Sequence, residues 1–278
     1  MEDVSVDQLE SSLDWRDHNV VSPVKDQSYC GSCYIFSAVA AMESAYMLAS
    51  DGTNVYQFSE QAYLNCNNYV DDACQGGMIE MAWQIAMEKG IISQDDGPEY
   101  VAADKHCKQY QNIGKLSGYC ISYKISNDDE LRSVVWKYGP ASVAIDASNE
   151  DFKYLRGEWN EDCGVDINHA MMIVGWNSDY YIIKNSWGTD WGIDGYLYLQ
   201  RDGNKCGIFY AAGVPFVDEL SLPKSSTVQE SDYDYNEEDN DNNNYYIKED
   251  SNNNYYIEES NDNNYDYINQ DNSNNYYE

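Results

Sequence analysis

The sequence predicts an α+β protein of two lobes, one helical and one β-rich, followed by a C-terminal tail without a core of its own. Three observations carry that expectation. Helix-forming segments are concentrated before Pro140, strand-forming segments follow it, and from Ser225 onward aliphatic residues are almost absent. Such segregation packs helices against one side of a sheet and leaves a cleft between two layers, unlike the alternation of a parallel βαβ sheet. With 278 residues, 42% of them apolar, the chain is long enough to bury a sizeable core.

Residues 1–12 are polar and read as a lead-in. Leu13 to Arg16 and Val20 to Val24 read as extended, with Pro23 at an edge or turn. Ile35 to Leu48 is apolar and alanine-rich on several sides, which predicts a buried central helix ending at Asp51-Gly52. Ser59 is placed to cap a short helix through Leu64. Cys66 to Gly77 is a loop, and Met78 to Glu88 has helical periodicity that stops at Gly90. Residues 91–120 show no clear periodicity. Asn127-Asp128-Asp129-Glu130 opens a helix with negative charge in its first turn, and Gly139-Pro140 closes it. Strands are expected over 141–145, 170–175, 180–184 and 195–199.

The chemistry starts at Cys33. It sits where the turn Cys30-Gly31-Ser32 runs into the central helix. Unpaired N–H groups and the positive end of the helix dipole favour a thiolate there, the reactive form of cysteine. Cys30 and Cys33 also form a C-x-x-C, which suits a redox pair or half a zinc site. A redox pair needs a βαβ context and a zinc site needs a second close pair; the other cysteines, at 66, 74, 107, 120, 163 and 206, supply neither.

A thiolate nucleophile in acyl transfer needs a base, most often histidine. Of three histidines, His18 lies in the lead-in and His106 beside Cys107, whereas His169 directly precedes an apolar strand. A hairpin turning at Asn177-Ser178 sets His169 opposite Asn185, whose amide is then placed to accept the imidazole N–H and leave the other ring nitrogen for Cys33.

The set Gln27, Cys30-Gly31-Ser32-Cys33-Tyr34, His169 and Asn185-Ser186-Trp187-Gly188 resembles the papain and cathepsin family of cysteine peptidases over residues 13–217. The resemblance implies the papain-like two-lobed fold, a helical lobe plus a β-barrel-like lobe, and cysteine endopeptidase activity, the alternatives being a catalytically silent papain-like peptide-binding protein or an exopeptidase. It makes Cys33 the nucleophile, His169 its base and Asn185 the group orienting the ring under Trp187. Gln27 joins the Cys33 backbone N–H as oxyanion donor. Gly76 and Gly77 are expected to let an extended substrate approach closely. The pocket for the second residue before the scissile bond falls on Met78, Ile79, Ala144, Ile167, Ala170 and Ala211, all apolar, which implies Leu, Val or Phe there. The implied disulfides are Cys30–Cys74, Cys66–Cys107 and Cys163–Cys206, leaving Cys120 over. Tyr34 stands where the family usually has tryptophan, and Asn168 where aspartate is common. Between Cys66 and Gly76 there is no histidine-bearing insertion of the kind that makes some relatives dipeptidases. No cofactor or metal is expected.

The formal net charge of −33, with the region from Ser225 carrying 15 Asp and Glu against the single Lys248, argues against nucleic acid or an anionic membrane as partner. Protein or peptide substrates and a monomer are expected. No run of 18 apolar residues offers a membrane span. Eight cysteines point to an oxidising setting, lysosomal/endosomal or secreted. Met1-Glu2-Asp3 has neither the basic nor the apolar region of an export signal, so a processed or recombinant mature form with an added Met1 is expected. Residues 218–278 read as an acidic Asn/Tyr-rich tail, disordered by composition. A ten-residue repeat runs through it: Asn242 to Ile247 recurs as Asn252 to Ile257.

Overall fold

The computed structural model describes residues 9–50 and 55–217 and the backbone of 245–249 and 255–259. The elements run β1 (Leu13–Asp14), α1 (Cys33–Ala49), α2 (Glu60–Asn65), α3 (Ile79–Lys89), β2 (Leu116–Ser122), α4 (Asp128–Tyr138), β3 (Ala141–Ile145) and β4 (Glu158–Trp159). They continue with β5 (His169–Trp176), β6 (Tyr180–Lys184), β7 (Tyr196–Gln200) and β8 (Ala212–Val217), and in the tail β9 (Tyr245–Glu249) and β10 (Tyr255–Glu259). Caps explain the helix boundaries. Ser59 accepts the Ala62 N–H and Asn127 the Glu130 N–H, while Gly90 and Gly139 end their helices at φ of 93°, which favours glycine.

One sheet carries the order β2-β8-β3-β5-β6-β7-β4, with β1 also pairing β5. All its pairings are antiparallel except β4 with β7. Alternation along β5 divides the interior between two cores. Ala170, Met172 and Val174 join α1, α2 and α3, while Met171 and Ile173 join α4 and the inward residues of β3, β6 and β7. The helical lobe thus packs on the sheet along β5, with α1 also against β3 and β8 and α3 against β2. α1 is buried nearly all round, as its composition predicts.

Several local expectations are corrected. The extended stretch expected over Leu13 to Arg16 stops at Asp14, because its carboxylate accepts the Arg16 N–H at 3.0 Å and pairs with the guanidinium, turning Trp15–His18 into a 3-10 helix. β2 lies in a stretch without visible periodicity, and β8 carries Pro215; their mutual pairing, with a bulge between Leu116 and Gly118, makes them strands. The hairpin register also differs. Met172 faces Lys184 and Ile173 faces Ile183, and an irregularity then sets Gly175 against Ile182 and Trp176 against Tyr181. The turn is wider than Asn177-Ser178, since Asn177 Oδ1 accepts the N–H groups of Asp179 and Tyr180 at 2.9 and 2.8 Å. Continued, this ladder sets His169 beside Trp187, not Asn185.

Among the described residues no helix is long and apolar enough to cross a membrane. The expectation of a disordered tail from Ser225 falls largely outside the described residues. Within the tail, β9 and β10 form a two-stranded antiparallel sheet.

Candidate active site

Cys33 is the first residue of α1. Ser32 precedes it as N-cap, its carbonyl accepting the N–H groups of Ile35 and Phe36 at 2.9 and 3.1 Å. The Cys30–Cys74 disulfide ties down the turn before the helix, and Gly31 N donates to Cys74 O at 2.8 Å. A Cβ at Gly31 would stand 2.6 Å from that oxygen, which explains the glycine. Cys30 is therefore engaged elsewhere, and Cys33 is a free, half-buried thiol. Disulfides also join Cys66 to Cys107 and Cys163 to Cys206, and Cys120 is free.

His169 begins β5 and is buried. Its Nε2 donates to Asn185 Oδ1 at 2.8 Å, which leaves Nδ1 for Cys33, its other side-chain partner. Asn185 lies just beyond β6, so it reaches the ring by leaving the ladder. Its own N–H donates to Gly195 O at 3.1 Å, and its Oδ1 also accepts the Ser186 N–H at 2.8 Å. The Trp187 ring lies 4.6 Å from the imidazole, tilted by 34°, and is braced by Phe152 and Trp191.

The electrostatics favour a charged pair. Burial pushes the Cys33 thiol up, but the hydrogen bond and charge of His169, with the Ala170 and Tyr34 backbone N–H groups, outweigh it and bring the thiol below its usual range. Burial likewise disfavours charge on His169, yet the bonds to Cys33 and Asn185 raise it above the ordinary histidine value. Each group holds the other ionised.

Gln27 is locked in place by hydrogen bonds to both its backbone and its side chain. Its N–H donates to Ser186 O at 2.8 Å, its Oε1 accepts from Ser186 Oγ at 2.6 Å, its Nε2 donates to Cys30 O at 2.9 Å, and its carbonyl accepts from Tyr100 at 2.8 Å. Ser186 thereby fixes which end of the amide is the donor, and Nε2 retains a second N–H.

The expected pocket residues are distributed as follows. Ala144 and Ala170 are cross-strand partners, immediately beside Ile145 and His169. Ile79 and Ala211 are buried, Ile167 is half-buried against Gly207, and Met78 is 41% exposed at the start of α3. The two glycines have structural reasons the sequence reading missed. Gly76 adopts a φ of 111°, and a Cβ on Gly77 would meet the Tyr34 ring at 2.7 Å. Tyr34, in place of tryptophan, is buried with its hydroxyl donating to Ala73 O at 3.1 Å and accepting from Asn67 at 2.8 Å. Asn168 is turned to the Asp146 loop, where it accepts the Ala147 N–H at 2.9 Å.

Behind the site lies a buried charge network absent from the sequence reading. Glu43 of α1 is wholly buried and accepts from Lys25 Nζ at 2.7 Å, Phe58 N at 2.7 Å and Ser22 Oγ. Lys25 also pairs with Glu60 at 2.6 Å, and Lys184 donates to Ser22 Oγ at 2.8 Å. Lys25, Glu43, Glu60 and Lys184 border a cavity of about 20 Å³, room for a water-sized sphere, whose wall reaches Asn185 and Ser186. The one sequence signal was a glutamate in the middle of an apolar helix. Among the described residues no His/Cys/Asp/Glu group is arranged to hold a metal ion.

The profile of the family described as "Papain family cysteine protease" matches residues 9–216. The chain belongs to that family. A viral cathepsin of Heliothis zea nuclear polyhedrosis virus is 35% identical over 214 residues, 75% of this chain and 57% of that protein. A cathepsin L-like proteinase of Fasciola hepatica is 36% identical over 215 residues, 74% of this chain and 65% of its own length. The chain thus spans less than two thirds of these curated relatives. Among solved structures, the digestive procathepsin L2 proteinase of the Tenebrio molitor larval midgut superposes with a TM-score of 0.68 at 36% identity, covering 74% of this chain and 68% of that one. A cysteine protease of Carica candamarcensis gives 0.69 at 31% identity, covering 74% and 98%.

Proposed function

We propose that this papain-family protein is a cysteine endopeptidase whose catalytic unit spans residues 13–217, and that Cys33, His169, Asn185 and Gln27 carry the reaction. The observation behind this reading is the hydrogen-bonded Cys33–His169 pair at the N-terminus of α1, with the thiol lowered and the imidazole raised. The Cys33 thiolate attacks the scissile carbonyl. Electron density moves to the carbonyl oxygen, which the Cys33 N–H and the free N–H of Gln27 Nε2 receive. His169, protonated at Nδ1, gives its proton to the departing amine as the tetrahedral species collapses to a thioester. It then takes a proton from water, which attacks the thioester and regenerates the thiolate. Asn185 and Trp187 keep the imidazole in the required tautomer and plane.

The apolar residues Ile79, Ala144, Ile167, Ala170 and Ala211, with Met78 at the mouth, favour Leu, Val or Phe as the second residue before the scissile bond. Gly76 and Gly77 leave the backbone beside them open to a substrate strand. Three disulfides favour an oxidising compartment, either secreted or lysosomal/endosomal. The reading is tested with fluorogenic dipeptides in which that second residue is Leu, Val, Phe or Arg. Turnover of the first three, slow cleavage with Arg and none in Cys33→Ala are expected. A preference for Arg overturns the pocket assignment, and turnover by Cys33→Ala overturns the nucleophile.

A further inference from the structure

The ten-residue repeat of the tail is the prominent sequence feature that peptide hydrolysis does not use. Asn242-Asn243-Asn244-Tyr245-Tyr246-Ile247 recurs as Asn252-Asn253-Asn254-Tyr255-Tyr256-Ile257, and Tyr-rich echoes follow at Tyr265-Asp266-Tyr267-Ile268 and Tyr276-Tyr277. The two full copies are β9 and β10, antiparallel, with Ile247 directly opposite Ile257. Lys248 stands opposite Tyr256, Glu249 opposite Tyr255, Glu258 opposite Tyr246 and Glu259 opposite Tyr245. Despite the acidity of the tail, no two like charges face each other across this ladder, an arrangement that would destabilise it.

Each strand reads Tyr, Tyr, Ile, a charged residue, Glu. Such a strand is complementary to itself. Turned end for end about the isoleucine, it brings its first tyrosine opposite the final glutamate and its second tyrosine opposite the charged residue. The register seen between β9 and β10 is therefore equally available between β9 strands, or between β10 strands, of two molecules. Among the described residues neither strand has a second neighbour. Within the described residues both outer edges therefore offer N–H and C=O groups for pairing, and a two-stranded hairpin is only marginally stable in water. A further strand on either edge relieves both deficits.

We propose that the repeat is a self-association element through which copies of this chain join, edge to edge, by antiparallel pairing of β9 with β9 or β10 with β10 centred on Ile247 or Ile257. The contact is two-fold, the same patch on both partners. It leaves the residues proposed for catalysis within each chain and departs from the expectation of a monomer. Because the region from Ser225 carries 15 acidic residues against one lysine, added salt screens the repulsion between tails and strengthens association. Attraction of the tail to a cationic surface has the opposite salt dependence.

The test is sedimentation equilibrium of the full chain carrying Cys33→Ala, to prevent self-cleavage, from micromolar to near-millimolar concentration at low and high salt. The same chain ending at Val217, and the full chain with Ile247→Lys and Ile257→Lys, are run beside it. The full chain is expected to shift to at least twice the monomer mass, at lower concentration in high salt. The shortened chain is expected to stay monomeric, and the double variant to associate at least about tenfold more weakly, having lost two apolar cross-strand centres. A full chain that is monomeric throughout at high salt, a shortened chain that associates as well, or a double variant that associates like its parent overturns the proposal. Peptidase activity enters none of these readings, so the proposal and the proposed enzymatic function fail independently.

Discussion

Glu43→Gln offers a demanding test of the packing behind the active site, because every group bonded to Glu43 is a donor. Lys25 Nζ, the Phe58 N–H and Ser22 Oγ all point at its two carboxylate oxygens, and Lys184 donates to the same serine. A glutamine of the same shape must turn its NH₂ toward one of these donors. It also leaves the half-buried Lys25 and the buried Lys184 with Glu60 as the remaining carboxylate of the network. Breaking a buried, hydrogen-bonded charge cluster in this way costs about 3–5 kcal/mol, a large share of the roughly 5–15 kcal/mol that holds a domain folded. With a urea dependence of roughly 2–3 kcal/mol per molar, the unfolding midpoint should fall by about 1.5 M. Glu60→Gln serves as the internal comparison. Burial already raises the Glu60 carboxyl toward its neutral form, against the pull of Lys25, so its replacement should cost less. The assay is urea unfolding at neutral pH with the disulfides intact, followed by tryptophan fluorescence. A Glu43→Gln protein within about 1 kcal/mol of the parent, or a larger loss for Glu60→Gln, would refute this account of the network.

Three further outcomes follow from the same geometry. Gln27→Ala should lower kcat/KM by about 10²–10³, and Ser186→Ala, which frees the Gln27 amide to rotate, by about tenfold; equal rates for parent and Ser186→Ala would remove the orienting role. Asn185→Ala removes a bond that raises His169, so the imidazolium should lose its proton at lower pH and the alkaline limb of the activity profile should move toward acid; an unmoved limb contradicts this. Burial lowers Lys184 from 10.5 to about 8, outweighing the attraction of Glu43, so below pH 8 the unfolded chain is favoured in holding that proton. This penalty is complete below pH 8 and fades as pH rises toward 10.5. The parent should therefore gain stability over that window relative to Lys184→Met, by up to ~3 kcal/mol, and parallel urea profiles of the two proteins would rule it out.

The sequence carried the helices because their ends are marked by local chemistry. Ser59 and Asn127 cap with side chains, and Gly90 and Gly139 stop with positive φ. β2 and β8 carried no such mark, since Gly118, Gly213 and Pro215 disguise strands that exist by pairing with each other. The His169–Asn185 contact was anticipated through a register that does not occur. The turn at Asn177 is wider than two residues, and the contact survives because Asn185 lies beyond the end of β6 and bends back to the ring. Gly76 and Gly77 were read as openings for substrate; the backbone angle at one and the Tyr34 ring at the other add local reasons for glycine that the sequence did not show. The network of Lys25, Glu43, Glu60 and Lys184 was illegible because its members are far apart in the chain and meet only when the lobes close on each other. Its one local mark, Glu43 as a charge inside an apolar helix, was not read as such.

The most direct test of the central claim is the pH dependence of alkylation at Cys33 by iodoacetamide, located by peptide mapping and repeated in His169→Ala. The account expects fast labelling of Cys33 that persists into mildly acidic pH, where an ordinary thiol is protonated, with Cys120 slow because burial raises its thiol. In His169→Ala the labelling should retreat to the alkaline range of a free cysteine. Labelling of Cys33 that follows an ordinary thiol profile in the parent, or that is unchanged by loss of His169, would contradict the thiolate–imidazolium pair and with it the proposed peptidase mechanism.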